Sequence, residues 1–330
     1  MNSSIKDIVD VILMTSDEKQ DHFNLIYEVD NSLVNESNKR IFLGSKTDKI
    51  CRFCGLDETK TTFKNKAHVL PEFMVNKYFF SNFECDQCNS LFSLYESSSS
   101  SFGGIMNTFS RVKGKKNKIY KHKGENEKTI TLVEDDIIKM YINEPPSSDP
   151  NDFKSIKVDS VNQRLKFNTN KYSYTPIHVY KTFIKIGVCL LNENELANYK
   201  NTIDWLVAKT ELPLFKNNPL FTVYKNTGKV NPKHSWAVLM KKRKMFESLP
   251  APTNVLLISY GLFSFQIFLP GNLKDNWLWQ ENKIRLPIEQ HIVQYDNIDE
   301  KHVKIWVDDI DLSSNDLLKM PKDEFSIGYK

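Results

Sequence analysis

Two pairs of cysteines constrain the fold of this chain more than any other feature of its sequence. The pairs are Cys51-x-x-Cys54 and Cys85-x-x-Cys88, and thirty residues separate them. Each short spacing lets two thiolates turn towards one ion, and two such turns together complete a tetrahedron. We therefore predict a structural zinc site with four cysteine ligands. The alternative is that the four are free thiols.

The residues between the two pairs contain a candidate for chemistry. A zinc ion with four cysteine ligands has no open position, so it would hold the chain without reacting. His68 lies in "KNKAHVLPEFM" (64–74), and a neutral imidazole is a suitable base near pH 7. The alternatives are a structural histidine at a strand end and a zinc ligand. Four available thiolates make the zinc role unnecessary.

The stretch "CRFCG … KAHVLPE … CDQCNSLF" resembles the HNH endonuclease family in its zinc-knuckled form, over roughly residues 46–105. The family motif is a histidine at the end of a strand, an apolar pair, a proline and, further on, C-x-x-C-Asn at a helix start. The resemblance implies a ββα-metal fold that hydrolyses DNA phosphodiester bonds, with His68 as the base. It implies that Asn89 binds Mg²⁺ or a related divalent cation, or places the strand-end loop.

One position departs from the family pattern. Many members carry Asp or His before the catalytic histidine as a metal ligand, and Ala67 cannot bind a metal. Either other groups hold the ion or the site is degenerate. On a helix that starts at Asn89, Glu96 would share its face, and Glu72 lies four residues after His68. Alternatively, Glu72 interacts with a helix dipole and Glu96 is solvated.

A lysine-rich stretch follows the cysteine-bounded segment. Residues 111–128 carry eight Lys or Arg against two Glu, whereas the whole chain has a net charge of only +4. Such a stripe can follow a phosphate backbone, or it can be a solvated linker. The predicted nucleic-acid-binding residues are Lys113, Lys115, Lys116 and Lys118.

The rest of the chain indicates an α+β fold rich in antiparallel strands. Apolar residues form one helical stripe over 177–191, and 193–209 predicts a second amphipathic helix. Residues 155–168 predict a hairpin. Further strands are predicted at 40–44, 129–135, 220–226, 235–244, 255–261, 262–269, 283–288 and 302–309. Cys189 is expected to be a small core residue.

These patterns divide the chain into four predicted segments. They are an N-terminal helix and lead-in (1–45), an HNH nuclease domain (46–110), a basic linker (111–128) and an α+β recognition or regulatory domain (129–330). Helical spacing predicts the N-terminal helix over residues 3–14. The serine run 97–101 with Gly103-Gly104 predicts a flexible exit from the nuclease domain.

The predicted function is therefore a DNA endonuclease with structural Zn²⁺ and a catalytic divalent cation. Its partners would be DNA and an activating ligand or protein at residues 129–330. The resemblance to bacterial HNH proteins suggests anti-phage defence or restriction. No apolar run is long enough for a membrane span, and acids interrupt the N-terminal apolar stretch, so we expect a cytoplasmic protein. The alternative is a catalytically degenerate, zinc-stabilised module that binds nucleic acid or protein.

Overall fold

The computed structural model describes residues 10–15, 22–34, 39–111, 113, 118–124, 127–135, 137–145, 153–208, 222–227, 235–275, 283–288 and 307–328. Its α-helices are α1 (His22–Ile26), α2 (Asp86–Gly103), α3 (Met106–Phe109), α4 (Pro176–Leu190) and α5 (Lys200–Val207). Its first strands are β1 (Asp10–Thr15), β2 (Tyr27–Leu33), β3 (Ile41–Leu43), β4 (Ala67–His68), β5 (Phe79–Ser81), β6 (His122–Lys123), β7 (Thr129–Glu134) and β8 (Ile137–Ile142). The later strands are β9 (Ile156–Asp159), β10 (Arg164–Asn170), β11 (Thr222–Thr227), β12 (Trp236–Lys242), β13 (Asn254–Tyr260), β14 (Phe263–Phe268), β15 (Lys283–Ile288), β16 (Val307–Asp311) and β17 (Lys322–Gly328). Mixed helices and strands confirm the predicted α+β class.

A six-stranded antiparallel sheet forms the centre of the second half, in the order β16-β11-β14-β13-β12-β2. Every residue of β13 and β14 is buried. Leu256 and Ile258 belong to the main apolar cluster, whereas Val255 and Leu257 belong to a second cluster that contains Phe23 of α1. Because side chains alternate along a strand, the sheet is covered on both faces. This explains the continuous apolar run in the sequence.

Helix α4 packs between this sheet and the cysteine-bounded segment. All of its residues are buried except His178. A Cβ atom on Gly187 would lie 2.6 Å from Cδ1 of Leu269, so the missing side chain permits a close approach to the end of β14. Cys189 is buried, as predicted. The predicted helix at 177–191 is therefore confirmed, and its burial on every face makes it a core element.

The cysteine-bounded segment folds as two short strands and a helix. Strand β4 pairs antiparallel with β5, β5 also pairs parallel with β3, and α2 follows. Helix α2 packs along α4. The order β4-β5-α2 confirms the predicted ββα unit. Further sheets have the orders β6-β7-β8, β17-β10-β9 and β1-β15, and the hairpin at 155–168 is confirmed as β9 and β10.

The predicted N-terminal helix is wrong for the residues that the structure describes. Residues 10–15 form β1, which pairs parallel with β15 along its whole length. The sequence "DVILMT" has three β-branched residues, which favour a strand once a partner strand is available. Residues 3–9 lie outside the described residues.

The predicted flexible exit at the serine run is also wrong. Residues 97–101 continue α2, which ends only at Gly103. Ser99 and Phe102 are buried, and the Phe102 ring meets Tyr174 edge-on at 5.4 Å between centroids. Tertiary packing against the segment before α4 therefore overrides the weak helix propensity of serine.

The second predicted helix, 193–209, has two parts. Residues 193–199 form a 3₁₀-helix and only 200–207 form the α-helix α5. The predicted domain boundaries stay a prediction, because one apolar cluster contains Phe92 of the predicted nuclease domain and Phe265 of the second half. Among the described residues, none of the helices is long and apolar enough to cross a membrane.

Candidate functional site

The four predicted zinc ligands converge. Their Sγ atoms all lie within 4.8 Å of one another, and those of Cys54 and Cys85 are 3.7 Å apart. Zinc–sulfur bonds of about 2.3 Å in a tetrahedron separate neighbouring sulfurs by about 3.8 Å. None of the five cysteines of the chain forms a disulfide. The arrangement therefore fits a four-coordinate zinc ion and contradicts a disulfide framework.

Backbone hydrogen bonds shape the first cysteine turn. The amide of Gly55 donates to the carbonyl of Cys51, and the amide of Cys51 donates to the carbonyl of Leu56, both at 2.8 Å. Gly55 has a φ of +71°, which a glycine adopts without strain. The amide of Cys85 lies 3.5 Å from Sγ of Cys51 and connects the two turns. The knuckle geometry is thus built into the local sequence.

The ionisation of each thiol depends on its neighbours. A hydrogen bond from Cys88 lowers the pKa of Cys51, and the same bond raises the pKa of Cys88. Burial raises the pKa of Cys54. One thiolate is thus stabilised at the expense of its neighbours, and four thiolates together need a compensating positive charge. The donor set, four soft sulfurs, suits Zn²⁺.

His68 lies at the end of β4, as the family motif implies. It pairs with Phe80 of β5, and the two rings are 4.7 Å apart between centroids. The preceding Ala67 is completely buried, while His68 is half-buried. Val69 and Leu70 after it are buried and anchor the strand end in the core. The imidazole is therefore held at the protein surface by a rigid backbone.

The surroundings of His68 favour its neutral form. Burial lowers the pKa of the imidazole, the carboxylate of Glu72 acts in the opposite direction, and the ammonium of Lys185 lowers it further. A neutral ring can accept a proton, which a general base requires. Glu72, in the 3₁₀-helix Glu72–Met74, is thus within electrostatic range of His68.

Asn89 lies near the N-terminus of α2, as predicted, because this helix begins at Asp86. The carboxylate of Asp86 accepts hydrogen bonds from the amides of Lys64 and Asn65 and from the hydroxyl of Thr62. These bonds connect the start of α2 to the chain just before β4. Asn89 is half-buried, and its backbone N–H donates to the backbone carbonyl of Cys85 at 2.9 Å.

Glu96 is half-buried two turns further along α2. Its Oε1 atom lies 3.9 Å from Nζ of Lys185, and Oε2 of Glu84 lies 3.1 Å from the same nitrogen. Burial raises the pKa of Glu84 to about 7, against the opposing effect of Lys185. Our reading of the sequence missed Lys185 and Glu84. The signal was a lysine inside an apolar helical stripe, since a buried lysine requires a partner.

The basic stripe is only partly visible. Lys113 and Lys118 are exposed, and an isolated bridge joins Lys113 to Ile119. Lys115 and Lys116 lie outside the described residues. The structure brings none of these lysines into a described contact with His68, so their nucleic-acid role stays a prediction.

The structure brings together some of the predicted site residues. In the part of the chain that it describes, the four cysteines are the only group of three or more His, Cys, Asp or Glu side chains whose ligand atoms converge. Glu72 and Glu96 do not join such a group. The assignment of Asn89, Glu96 and Glu72 to a catalytic cation therefore stays a prediction.

Comparison with known proteins agrees with this geometry. A family model described as HNH endonuclease matches residues 51–97, which include both cysteine pairs, His68 and Asn89. No curated protein matches the chain significantly, and no solved structure does. The matched segment coincides with the cysteine turns, the strands β4 and β5 and two thirds of α2. The resemblance of this segment to the HNH endonuclease family, predicted from its motifs, is therefore confirmed for residues 51–97.

Proposed function

We propose that the protein is a metal-dependent endonuclease that hydrolyses DNA phosphodiester bonds. The observation that carries this proposal is the presentation of a half-buried, neutral His68 at a strand end inside the matched HNH segment. The zinc-fitting cysteine cluster supports it, because the cluster fixes the start of α2 beside that strand. A nuclease domain implies a nucleic acid substrate, and the choice of DNA follows the family resemblance.

In this proposal, the imidazole of His68 accepts the proton of an attacking water. The water then adds to phosphorus in line with the leaving oxygen, which departs with the bond electrons. Burial disfavours the charged form of His68, so in the resting protein the ring is neutral and can accept that proton. A bound divalent cation would offset the negative charge that grows on the phosphate.

The residues proposed to hold that cation are Asn89, Glu96 and Glu72. All three offer hard oxygen donors, which Mg²⁺ prefers. Glu96 is engaged by Lys185, and Glu72 acts electrostatically on His68. Replacing each glutamate singly by glutamine and measuring cleavage across metal concentrations separates them. The ligand is the residue whose variant needs the higher metal concentration.

The exposed lysines of the basic stripe are proposed to contact the phosphate backbone. Each such contact releases condensed counterions, so DNA affinity should fall steeply with salt. Replacing Lys113 and Lys118 by glutamine should weaken DNA binding and make it less dependent on salt. Equal salt dependence in the variant would assign the stripe to a solvated linker.

The decisive experiment is plasmid nicking. Purified protein is incubated with supercoiled plasmid and Mg²⁺ or Mn²⁺, together with His68→Ala and the control His178→Ala. His178 is half-buried on α4, outside the matched segment. We expect metal-dependent nicking by the wild type and the control, and its loss in His68→Ala. Equal nicking by wild type and His68→Ala would refute the proposal.

A second candidate function is a zinc-stabilised module that binds nucleic acid or protein without cleaving it. The buried Ala67 favours this candidate, because the position offers no metal ligand. It predicts that the wild type binds DNA and that neither it nor His68→Ala nicks plasmid with any divalent metal.

The biological setting that we propose is bacterial anti-phage defence or restriction, in the cytoplasm. Residues 129–330 would then receive an activating ligand or partner protein. The test is phage plating on cells that express the wild type or His68→Ala. Protection by the wild type alone supports this role, and equal plating contradicts it.

A further inference from the structure

The side chain of Lys185 joins α4 to the strand that carries His68. It is 1 % exposed, and its Nζ atom donates a hydrogen bond to the backbone carbonyl of His68. The same atom lies 3.1 Å from Oε2 of Glu84 and 3.9 Å from Oε1 of Glu96. The contact with the His68 carbonyl is a hydrogen bond, and the contacts with the two carboxylates are ion pairs.

Carboxylates balance the charge of the buried Lys185. Oε2 of Glu84 lies 3.1 Å from its Nζ atom, and Oε1 of Glu96 lies 3.9 Å from it. A charged lysine in the core is tolerated only when it is paired and hydrogen-bonded. Glu84 directly precedes the second cysteine pair, so this ion pair connects α4 to the chain that leads into the zinc-fitting cluster.

The contact of Lys185 with the carbonyl of His68 acts on the backbone that carries the imidazole. Strand β4 is only two residues long, and its described ladder consists of the pairs Ala67–Ser81 and His68–Phe80. The N–H side of the peptide between His68 and Val69 donates to the carbonyl of Phe79 at 3.0 Å, so the ladder holds one side of that peptide and Lys185 holds its carbonyl side. A charge-assisted hydrogen bond to that peptide is stronger than a neutral one and fixes the backbone from which the imidazole projects.

Helix α4 is attached to the same segment at a second point. Arg52, inside the first cysteine pair, donates to the carbonyls of Val188 and Leu191 at 3.0 Å each. The helix is therefore anchored to the zinc-fitting turn at its carboxyl end and to the His68 strand near its middle. Its position relative to the base is determined at both contacts.

We propose that Lys185 is a positioning residue for His68, acting from outside the HNH segment through the His68 carbonyl. This inference rests on the proposed nuclease function. It assigns part of the nuclease geometry to residues 129–330, because α4 belongs to that half of the chain. Any ligand that shifts α4 would therefore shift the base.

The test separates positioning from stability. Lys185→Met leaves Glu84 as an unpaired buried carboxylate. This single variant should therefore lose stability as well as activity. In the double variant Lys185→Met with Glu84→Gln, the buried charge is gone and the melting temperature should return towards that of the wild type. The His68 carbonyl still lacks its donor. We expect kcat of plasmid nicking to stay about 100-fold lower, with KM for DNA unchanged, because a buried side chain cannot contact DNA.

The matched control is Lys181→Met, one turn earlier on α4. Lys181 is also buried, and it donates to the carbonyls of Trp205 and Ala208 instead of that of His68. This variant should keep the wild-type kcat. A double variant that recovers both melting temperature and kcat would overturn the proposal, because Lys185 would then act only on stability.

Hydrogen exchange distinguishes failure of this inference from failure of the proposed function. A wild type without nicking activity refutes the nuclease proposal, but peptides that cover residues 67–81 still report on the His68 strand. We expect faster amide exchange there in the double variant than in Lys181→Met. Equal exchange in the two variants overturns the positioning role.

Discussion

Replacing Arg52 by methionine tests whether the first cysteine turn holds the end of α4. Its Nη1 atom lies 3.0 Å from the carbonyl oxygens of Val188, Cys189 and Leu191. Its guanidinium lies 3.9 Å from the centre of the Phe83 ring. The side chain therefore donates to carbonyls at the end of the helix, of which that of Val188 also accepts from the amide of Leu191 at 3.3 Å, and it places a positive charge at the negative end of the helix dipole.

The magnitude follows from these contacts. One guanidinium nitrogen has two N–H groups for three carbonyls, so about two hydrogen bonds of roughly 1.5–3 kcal/mol each are lost. The contact with Phe83 adds about 0.5–1 kcal/mol. Because Arg52 is only half-buried, we take the lower part of this range, about 3 kcal/mol. At about 2–4 °C for each kcal/mol, the melting temperature should fall by roughly 6–12 °C.

The assay is calorimetric unfolding of zinc-saturated protein, with Arg40→Met as the control. Arg40 is exposed and lies 5.9 Å from the Phe80 ring centre, so its loss should change stability by less than about 0.5 kcal/mol. Arg52→Met should also raise hydrogen exchange at the carboxyl end of α4. If both variants melt together with the wild type, the proposed docking of the cysteine turn on α4 is incorrect.

Two further predictions concern zinc and pH. Elemental analysis should find about one zinc per chain. Cys88→Ser should lose the zinc and unfold residues 51–97, because structural zinc contributes roughly 10 kcal/mol or more to the free energy of folding. A stable wild-type protein that contains no zinc would contradict the site. The cleavage rate should fall as pH decreases through the pKa of His68, because a protonated imidazole cannot act as the base. Burial places this pKa below its ordinary 6.5. Rates measured between about pH 5 and pH 8 should therefore have a midpoint below 6.5. A midpoint above it would show that His68 is not the base.

The local patterns of the sequence were sufficient for the HNH unit. Each cysteine pair turns within four residues, and the strand, proline and helix start around His68 follow one another along the chain. Such features depend on neighbours in sequence, so spacing and residue type specify them. The same holds for α4, whose apolar stripe predicted a helix, and for the hairpin of β9 and β10.

The wrong predictions have tertiary causes. Residues 10–15 became a strand because β15, far along the chain, supplied a parallel partner. Residues 97–101 are helical because the side chains of Ser99 and Phe102 are buried, and the Phe102 ring packs against Tyr174 just before α4. Local propensity differs by fractions of a kcal/mol for each residue, and such burial exceeds it.

The sequence by itself determined the zinc-fitting turns, the identity of the candidate base and the ββα order, because these depend on short spacings. Only the tertiary structure showed which residues surround that base. Lys185 lies 117 positions from His68 and Arg52 lies 136 positions from Val188. Contacts of such separation form only when the whole core closes. A buried charge then requires a partner. For Lys185 the partners are the carbonyl of His68 and the carboxylates of Glu84 and Glu96.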